Sequence, residues 1–595
     1  MIVPMKKAHI LCEARDAEST VKSLRALGVM HVEHENTPES TNIAVLREQV
    51  VLINSALDVL NQVAVSEEEK IPQDHTLNKD WREVAAQILD SRKRHEQLEI
   101  ASRGVIGQIQ EWERWGDIEP SEVQFLRERG IYVRLFLVPL KEVKNFPDDV
   151  VGKMVFATGD IAHCVAIARR EFECPFPEIA LPKQSVSAMK RQLLEMNEGM
   201  ESARKDLLSY ARYRDSLTKI RSELEKEIEF QQVLAGMGRD GPISYVTGYI
   251  PFDVEAQLIA EAREKRWGIL INDPSYIDEV PTLIRNPKWA SLIRPVLGLL
   301  GLTPGYRELD VSIPFLIFFS LFFGILIGDA GYGVAYILIT LVLQKVVLKK
   351  WVLENPDLKT TFSLFYLLGC SAVVWGVLTG VFFGQTWLLA LGYVPPVPEL
   401  NDTNFIQTFC FFIGALHLSI AHSWRAVLKF PSLTFLSDIG WICVLWTAFL
   451  LARYLILGEA FPSFGLWLIA AGILLVIFFT HPQRNVLKGI GTGLATVALS
   501  LMNNFTDVIS YIRLFAVGLA TLAIAETTNT LAFGFGNGIV ALVASVVILI
   551  TGHGLNIILG PMSVLVHGVR LNVLEFSGHA NVTWSGTAFD PLKEE

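Results

Sequence analysis

Charge is scarce in one half of this chain, and cysteine is scarce throughout. Residues 313–595 hold 12 of the 52 Lys/Arg and 13 of the 62 Asp/Glu, which excludes an ordinary soluble domain there. The first 312 residues carry the other 40 basic and 49 acidic side chains, a mildly acidic balance that argues against a nucleic-acid binder. Cys12, Cys164, Cys174, Cys370, Cys410 and Cys443 are scattered and contain no CxxC pair, so reduced, structural thiols are expected. P-loop, HExxH and convincing GxGxxG patterns are missing, as is any metal-ligand spacing, so no nucleotide-hydrolysing site and no cofactor are expected. No apolar run near the start has a signal-peptide layout, which leaves the first half in the cytoplasm.

What is there divides into a soluble arm, 1–312, and an apolar domain, 313–595. Residues 1–35 read strand, helix, strand, with Gly28 as the helix stop. A matching unit returns at Ile243–Ile250, Val254–Lys265 and Trp267–Ile271. These pieces predict one α/β lobe built from 1–40 and 240–275. Between them, apolar positions three and four apart run from Val84 through Ile88, Leu98, Val105 and Ile109 to Trp112. They return from Leu193 through Met200, Leu207, Leu217 and Leu224 to Ile228. That period predicts an antiparallel coiled-coil hairpin over about 44–115 and 183–236. The inbound run from Lys183 to Leu234 would be about 75 Å long as one helix. Strands at Ile131–Pro139 and Val151–Ala157 predict a second α/β lobe over 117–182, giving a dumbbell; polar seam positions leave a compact helical bundle open. Val151-Gly152-Lys153-Met154 lacks the rest of a phosphate loop, and His31 and His34 read as surface histidines.

Apolar segments at about 362–390, 405–427, 433–457 and 463–480 are long enough to span a bilayer. Residues 313–347 break at Gly328-Asp329-Ala330-Gly331-Tyr332-Gly333 into two short spans. The runs 488–526 and 536–578 would be about 58 and 64 Å long against a hydrocarbon core of about 30 Å, so they must be tilted or broken. Eight spans result. Lys345, Lys349, Lys350 and Lys359, then Arg425 and Lys429, then Arg484 and Lys488 fall in alternate loops. The intervening loops 391–404, 458–462 and 527–535 lack Lys and Arg, which places both chain ends on the cytoplasmic side.

Arg513 stands deep in the seventh apolar run, too far from either end to reach water easily. A charge at mid-bilayer costs about 2.5–3.5 kcal/mol even on an insertion scale, so Arg513 needs a partner or a wet path. Asn503, Thr506 and Ser510 precede it at helical spacing, on one face. On the eighth run, His553, Asn556, Gly560, Ser563, His567 and Arg570 follow the same rule, with Glu575 near the end of the stripe. Simple helix contacts remain open for Asn503, Thr506 and Ser510, and anchoring remains open for Arg570. Asp329 reads first as a helix cap, Asp507 and Asp438 as structural carboxylates, and His417 and His422 as core residues.

The segments Phe318–Gly324, Gly328–Gly333, Trp375–Gly384, Ser510–Leu514 and His567–Phe576 together resemble subunit I, also called subunit a, of V-type and A-type rotary ATPases. The ending, Phe576–His579 to Trp584–Gly586, is similar to the bacterial branch. The resemblance covers the whole chain. It implies that the soluble half is a stator arm holding peripheral-stalk (E/G-type) subunits and contacting the central-stalk region. It implies that the membrane half abuts a ring of c-type (K) subunits, with the essential arginine at Arg513 and a supporting arginine at Arg570. Eukaryotic members carry channel acids where this chain has Leu499 and Gly560. A stand-alone secondary transporter with a cytoplasmic arm is the alternative, although the membrane half shows no inverted repeat. A purely structural anchor would leave Arg513 unexplained.

Overall fold

The computed structural model describes all residues except 66–79, 144, 386–391, 481–485, 535, 537 and 595. Part of the outbound arm, Arg484, and positions 386–391, 535 and 537 of the apolar segments and their loops lie outside the described residues.

β1 (Met5–Glu13), α1 (Ala17–Leu27) and β2 (His31–Glu33) open the chain. α2 (Thr41–Val65), α3 (Trp81–Trp112) and α4 (Pro120–Glu128) precede β3 (Tyr132–Pro139), β4 (Val150–Thr158), β5 (Ile161–Ala168) and β6 (Glu178–Ile179). α5 (Val186–Tyr210) and α6 (Arg214–Gly236) lead to β7 (Gly238–Asp240), β8 (Ile243–Pro251), α7 (Glu255–Lys265) and β9 (Gly268–Asn272). Two compact units divide the chain. Met1–Leu11, Gly28–Glu33 and Thr247–Pro591 form one; Cys12–Leu27, His34–Val246 and Leu592–Glu595 form the other.

In the second unit α3 and α5 run antiparallel: Lys190 Nζ meets Glu113 at 2.7 Å and Tyr210 donates to Gln87 at 3.0 Å, so rising numbers on one helix meet falling numbers on the other. Asp80 and Ser185 start these helices by accepting from the amides of Arg82 and Ala188. The inbound arm is two helices rather than one, parted by a tight turn at Ala211–Tyr213. There Leu207 and Leu217 join a core shared with Ile53, Leu57, Leu60, Val84 and Ile88, so α2, α3, α5 and α6 pack together. At the other end of α3, Val105, Ile109, Trp112 and Trp115 bury against Leu135, Val186 and Met189. The antiparallel sheet β4-β5-β3-β6 stands there, with Phe136, Val138, Cys164 and Ala166 buried on the layer beneath.

The first unit contains a sheet ordered β2-β8-β1-β9. Lys7 on β1 is held between Asp278, at 3.0 Å, and Glu33, at 3.2 Å. Its apolar part continues with α8 (Arg294–Leu299), α9 (Ser312–Ile327), α10 (Ala330–Val342), α11 (Lys349–Glu354) and α12 (Pro356–Thr379). Then come α13 (Thr403–Lys429), α14 (Phe435–Leu457), α15 (Phe464–Phe479), α16 (Val486–Ser510), α17 (Ile512–Phe533), α18 (Ile539–Ser563) and the short α19 (Ser577–Ala580). Among the described residues six helical stretches are long and apolar enough to cross a membrane: α10 with its continuation to Val347, α12, α13, α14, the α16–α17 run and the run from Ile539 to Ala580. α9 and α15 have 16 residues each, about 24 Å, shorter than the hydrocarbon core.

α9 is apolar on every side, and its Phe315, Phe319, Phe322 and Leu326 sit in the middle of the membrane core. It ends where sequence places the break: Gly328 takes φ +66, which an L side chain rarely adopts. α10 then crosses α12 with almost no space between backbones. A Cβ on Gly376 would lie 1.9 Å from the Ala330 nitrogen, so only glycine permits the crossing.

After α19 the chain runs back along the sheet-bearing part of the same unit. Gly586 donates to Thr303 at 3.1 Å, Thr282 donates to Thr587 at 2.8 Å, and Phe589 donates to Thr282 at 3.0 Å. Glu308 fastens this strap by accepting from the Thr583 amide at 2.8 Å, and His31 on β2 bonds the Asp590 backbone.

Candidate functional site

Arg513 lies two residues past a break. The long run expected over 488–526 is two helices, parted at Tyr511, where the Tyr511 and Leu514 amides bond three residues back instead of four. Tyr511 is fully buried and its hydroxyl meets His417 Nδ1 at 2.8 Å. The His417 ring is stacked between Phe318 and Phe576, and the Tyr511 ring closes on Gly414. The backbone that carries Arg513 is therefore pinned from behind.

Arg513 and Arg570 converge on Glu575. Arg513 Nη1 is 4.0 Å and Arg570 Nε 3.7 Å from Glu575 Oε1. Five residues separate Arg570 from Glu575, which in an α-helix would differ by about 140° around the axis. The segment Leu571–Phe576 is π-helical, as is Val564–Gly568, and an i→i+5 turn stacks residues five apart on one face. Glu575 thus reaches the arginines through a local change of helical period. At these distances the three groups are ion pairs without hydrogen bonds. Arg513 Nη1 and Glu575 Oε2 are buried and have no hydrogen-bond partner among the described residues. Donor and acceptor capacity is left over in this cluster, where Glu575 is buried, Arg513 half-buried and Arg570 exposed.

The other predicted residues fall into five places. Asn503 and Thr506 are exposed and Ser510 half-buried on α16, beside exposed Leu499 and Met502; Thr506 and Ser510 bond back to their own helix at 2.9 Å. Ser563 and His567 are half-buried between the two ends of the last helix. His553 and Asn556 belong to a separate network, about 21–26 Å along the helix from Arg570. There His553 meets Tyr332 at 2.7 Å and Asn529 at 3.1 Å, and Asn556 donates to Tyr332 at 3.0 Å and to the Thr521 carbonyl at 2.9 Å. Asp329, 2% exposed, accepts from four backbone amides: Gly331 at 2.7 Å, Tyr332 at 3.1 Å, Phe383 at 2.9 Å and Gly384 at 2.6 Å. It caps α10 and ties it to the end of α12. Asp507 bonds His579 Nε2 at 3.0 Å.

Tyr511, Tyr332, Asn529 and His579 were not singled out from sequence. Tyr511 lies two residues before Arg513 within the Ser510–Leu514 segment, and that proximity is the available signal; the others act through partners distant in the chain.

No family model matches the sequence. V-type ATP synthase subunit I 1 of Treponema pallidum (strain Nichols) is 30% identical over 638 aligned positions, covering 100% of both chains. The chain belongs to the V-type/A-type ATP synthase subunit I family. V-type ATP synthase subunit I of Borreliella burgdorferi is 29% identical over 616 positions and again covers 100% of each chain. A-type ATP synthase subunit I of Methanocaldococcus jannaschii is 24% identical over 520 positions, 80% of this chain and 71% of the relative. In this subunit I chain Gly560 has a packing reason. A Cβ there would meet Ile327 Cδ1 at 2.7 Å and the Tyr336 hydroxyl at 2.8 Å, so any side chain at this position requires those two side-chain ends to shift.

Proposed function

We propose that this chain is the membrane-embedded stator subunit of a rotary V/A-type ATPase. It couples H⁺ or Na⁺ movement to rotation of a c-type (K) ring. Residues 1–312 serve as the arm, a hairpin of paired helices that binds E/G-type peripheral-stalk subunits and contacts the central-stalk region. Residues 313–595 supply the two ion half-channels, with α9 and α15 counted among eight spans and both ends cytoplasmic. The observation that carries this reading is Arg513, a permanent cation with a buried nitrogen that makes no hydrogen bond and pairs only loosely with Glu575; the helix before it, α16, exposes Leu499, Met502, Asn503 and Thr506.

A ring carboxylate that is neutral in lipid and comes within about 4 Å of Arg513 gains roughly 4 kcal/mol for its ionised form at an effective dielectric constant near 20. It must then release its ion to one half-channel and reload from the other, while Arg513 blocks a direct leak. Glu575 holds Arg513 between passages, and Arg570 keeps Glu575 from capturing it fully. His567, Ser563, Asn556 and His553 line the path along the last helix.

Replacing Arg513 with Ala is expected to abolish ion-coupled ATP turnover in the assembled complex, measured as ATP-driven ion uptake into vesicles. Normal pumping by that variant would overturn the assignment. A stand-alone transporter would purify without a proteolipid ring or soluble ATPase subunits.

A further inference from the structure

A continuous hydrogen-bonded chain of titratable side chains links α16, α19, α13 and α14. Asp507 Oδ2 on α16 bonds His579 Nε2 at 3.0 Å. His579 Nδ1 on α19 bonds His422 Nε2 on α13 at 2.9 Å. His422 Nδ1 bonds Asp438 Oδ1 on α14 at 3.2 Å. The Asp438 carboxylate meets Lys429 at 2.6 Å and Arg425 at 3.4 Å, and Arg425 also donates to the His579 carbonyl at 2.9 Å. The side chains of His422 and Asp438 are 4% and 1% exposed, whereas Asp507 is 30% and Lys429 35% exposed at the two ends. Asp507 lies one helical turn from both Asn503 and Ser510, so the inner end opens at the face of α16 described above. His417, the other histidine of α13, bonds Tyr511 and stands outside the chain.

Proton counting gives this geometry its meaning. Three links join four groups, and each link needs one proton. Two neutral imidazoles supply one proton each, and two ionised carboxylates supply none. Filling all three links therefore requires one proton more than the ordinary neutral-pH states provide. Without it one of the three links has no proton, and two acceptor atoms face each other across 2.9–3.2 Å. Arg425 and Lys429 offset the remaining negative charge.

We propose that Asp507, His579, His422 and Asp438 form a proton wire that stores one excess proton and links the ring-facing side of α16 to the cytoplasmic ends of α13 and α14. The wire rests on the rotary reading given above and makes H⁺ the coupling ion. In one passage the Asp507 O–H bond breaks as His579 Nε2–H forms. His579 Nδ1–H breaks as His422 Nε2–H forms, and His422 Nδ1–H breaks as Asp438 O–H forms. Asp438 then releases its proton to water beside Lys429. One proton enters and one leaves, and no group is oxidised or reduced. Turning of the imidazoles resets the links.

The test uses the whole complex in inverted vesicles, with ATP-driven acidification as the readout and co-purification of the ring as the assembly check. His422→Gln and His579→Gln are expected to lower the initial rate at least about tenfold. His579→Ala is expected to fall likewise and to recover in part when imidazole is added, which a packing defect would not do. Parent rates in assembled His422→Gln and His579→Gln complexes, or no imidazole recovery in His579→Ala, would overturn the wire. Asp507→Asn, at the partly exposed end, keeps the test decisive if the histidine variants do not assemble: it must also lose transport, and a parent rate refutes the wire. Arg513→Ala in the same preparation separates the two ideas. If it pumps normally, the rotary reading itself fails; if only Arg513→Ala is impaired, the wire alone falls.

Discussion

Substitution of Asp329 separates a structural carboxylate from a channel carboxylate, and its cost follows from four distances. Oδ1 accepts from Gly331, Tyr332 and Phe383, and Oδ2 from Gly384, all between 2.6 and 3.1 Å, in a site 2% exposed. A buried amide deprived of its acceptor costs about 1–3 kcal/mol, so Asp329→Ala, which strands four, costs about 4–12 kcal/mol before relaxation. Against a total stability of about 5–15 kcal/mol that is enough to prevent accumulation of folded chain. Asp329→Asn keeps one oxygen for the three Oδ1 donors but turns an NH₂ toward the Gly384 amide, losing one charge-assisted bond, about 2 kcal/mol. The assay is the thermal unfolding midpoint of the purified chain in detergent, together with hydrogen exchange at the Phe383 and Gly384 amides. Asp329→Asn should lower the midpoint and expose Gly384 first. An unchanged midpoint and unchanged exchange, with transport lost, would refute the capping argument and make Asp329 a channel residue.

Gly376→Ala, whose Cβ meets the α10 backbone, should cost at least about 2 kcal/mol, while Gly298→Ala, with open space around its Cβ, should be near neutral; paired melting curves check this. Burial works against the charge of Lys7, yet bonds to Asp278 and Glu33 raise its affinity for the proton, and the bond to Lys7 lowers that of Asp278. The Lys7 contribution is therefore full below about pH 10.4 and fades as pH rises further, and the Asp278 contribution is present above about pH 3.9 and fades as pH falls; Lys7→Met and Asp278→Asn should flatten the melting-point profile at the alkaline and acid ends respectively. Glu308 is half-buried, which opposes ionisation, but bonds from Thr583 and Gly305 hold it below the usual glutamate range. Glu308→Gln should release the strap, seen as faster proteolysis after Val582 at neutral pH; parent kinetics would count against the fastening role.

Much of this arrangement is legible in sequence where one residue type has one physical meaning. The glycine-rich break at 328–333, the capping aspartate and the isolated Arg513 each announce themselves because bilayer and backbone tolerate few alternatives. The period of the last helix is not legible, because π-helical turns at 564–568 and 571–576 depend on packing rather than on local composition, and Glu575 reaches Arg570 only through them. The His422–His579 bond joins residues 157 apart, a distance at which no periodicity speaks. The interruption of the inbound arm at Ala211–Tyr213 follows from its change of neighbours, which an apolar repeat with only three-and-four spacing does not encode.

The returning strap gives the last helix a mechanical role besides its electrostatic one. The residues that follow His579 are bonded to Thr282, Thr303, Glu308 and His31. The helix bearing Arg570 and Glu575 is thus clamped at its end to the segments around Thr282 and Thr303–Glu308 and to β2, instead of floating in lipid. A sideways drag on the arginine cluster is carried by this clamp as tension along a short, hydrogen-bonded segment. The stiffness of that segment sets how far the charges recoil under load, and loosening it should make coupling slip before it makes the protein unfold.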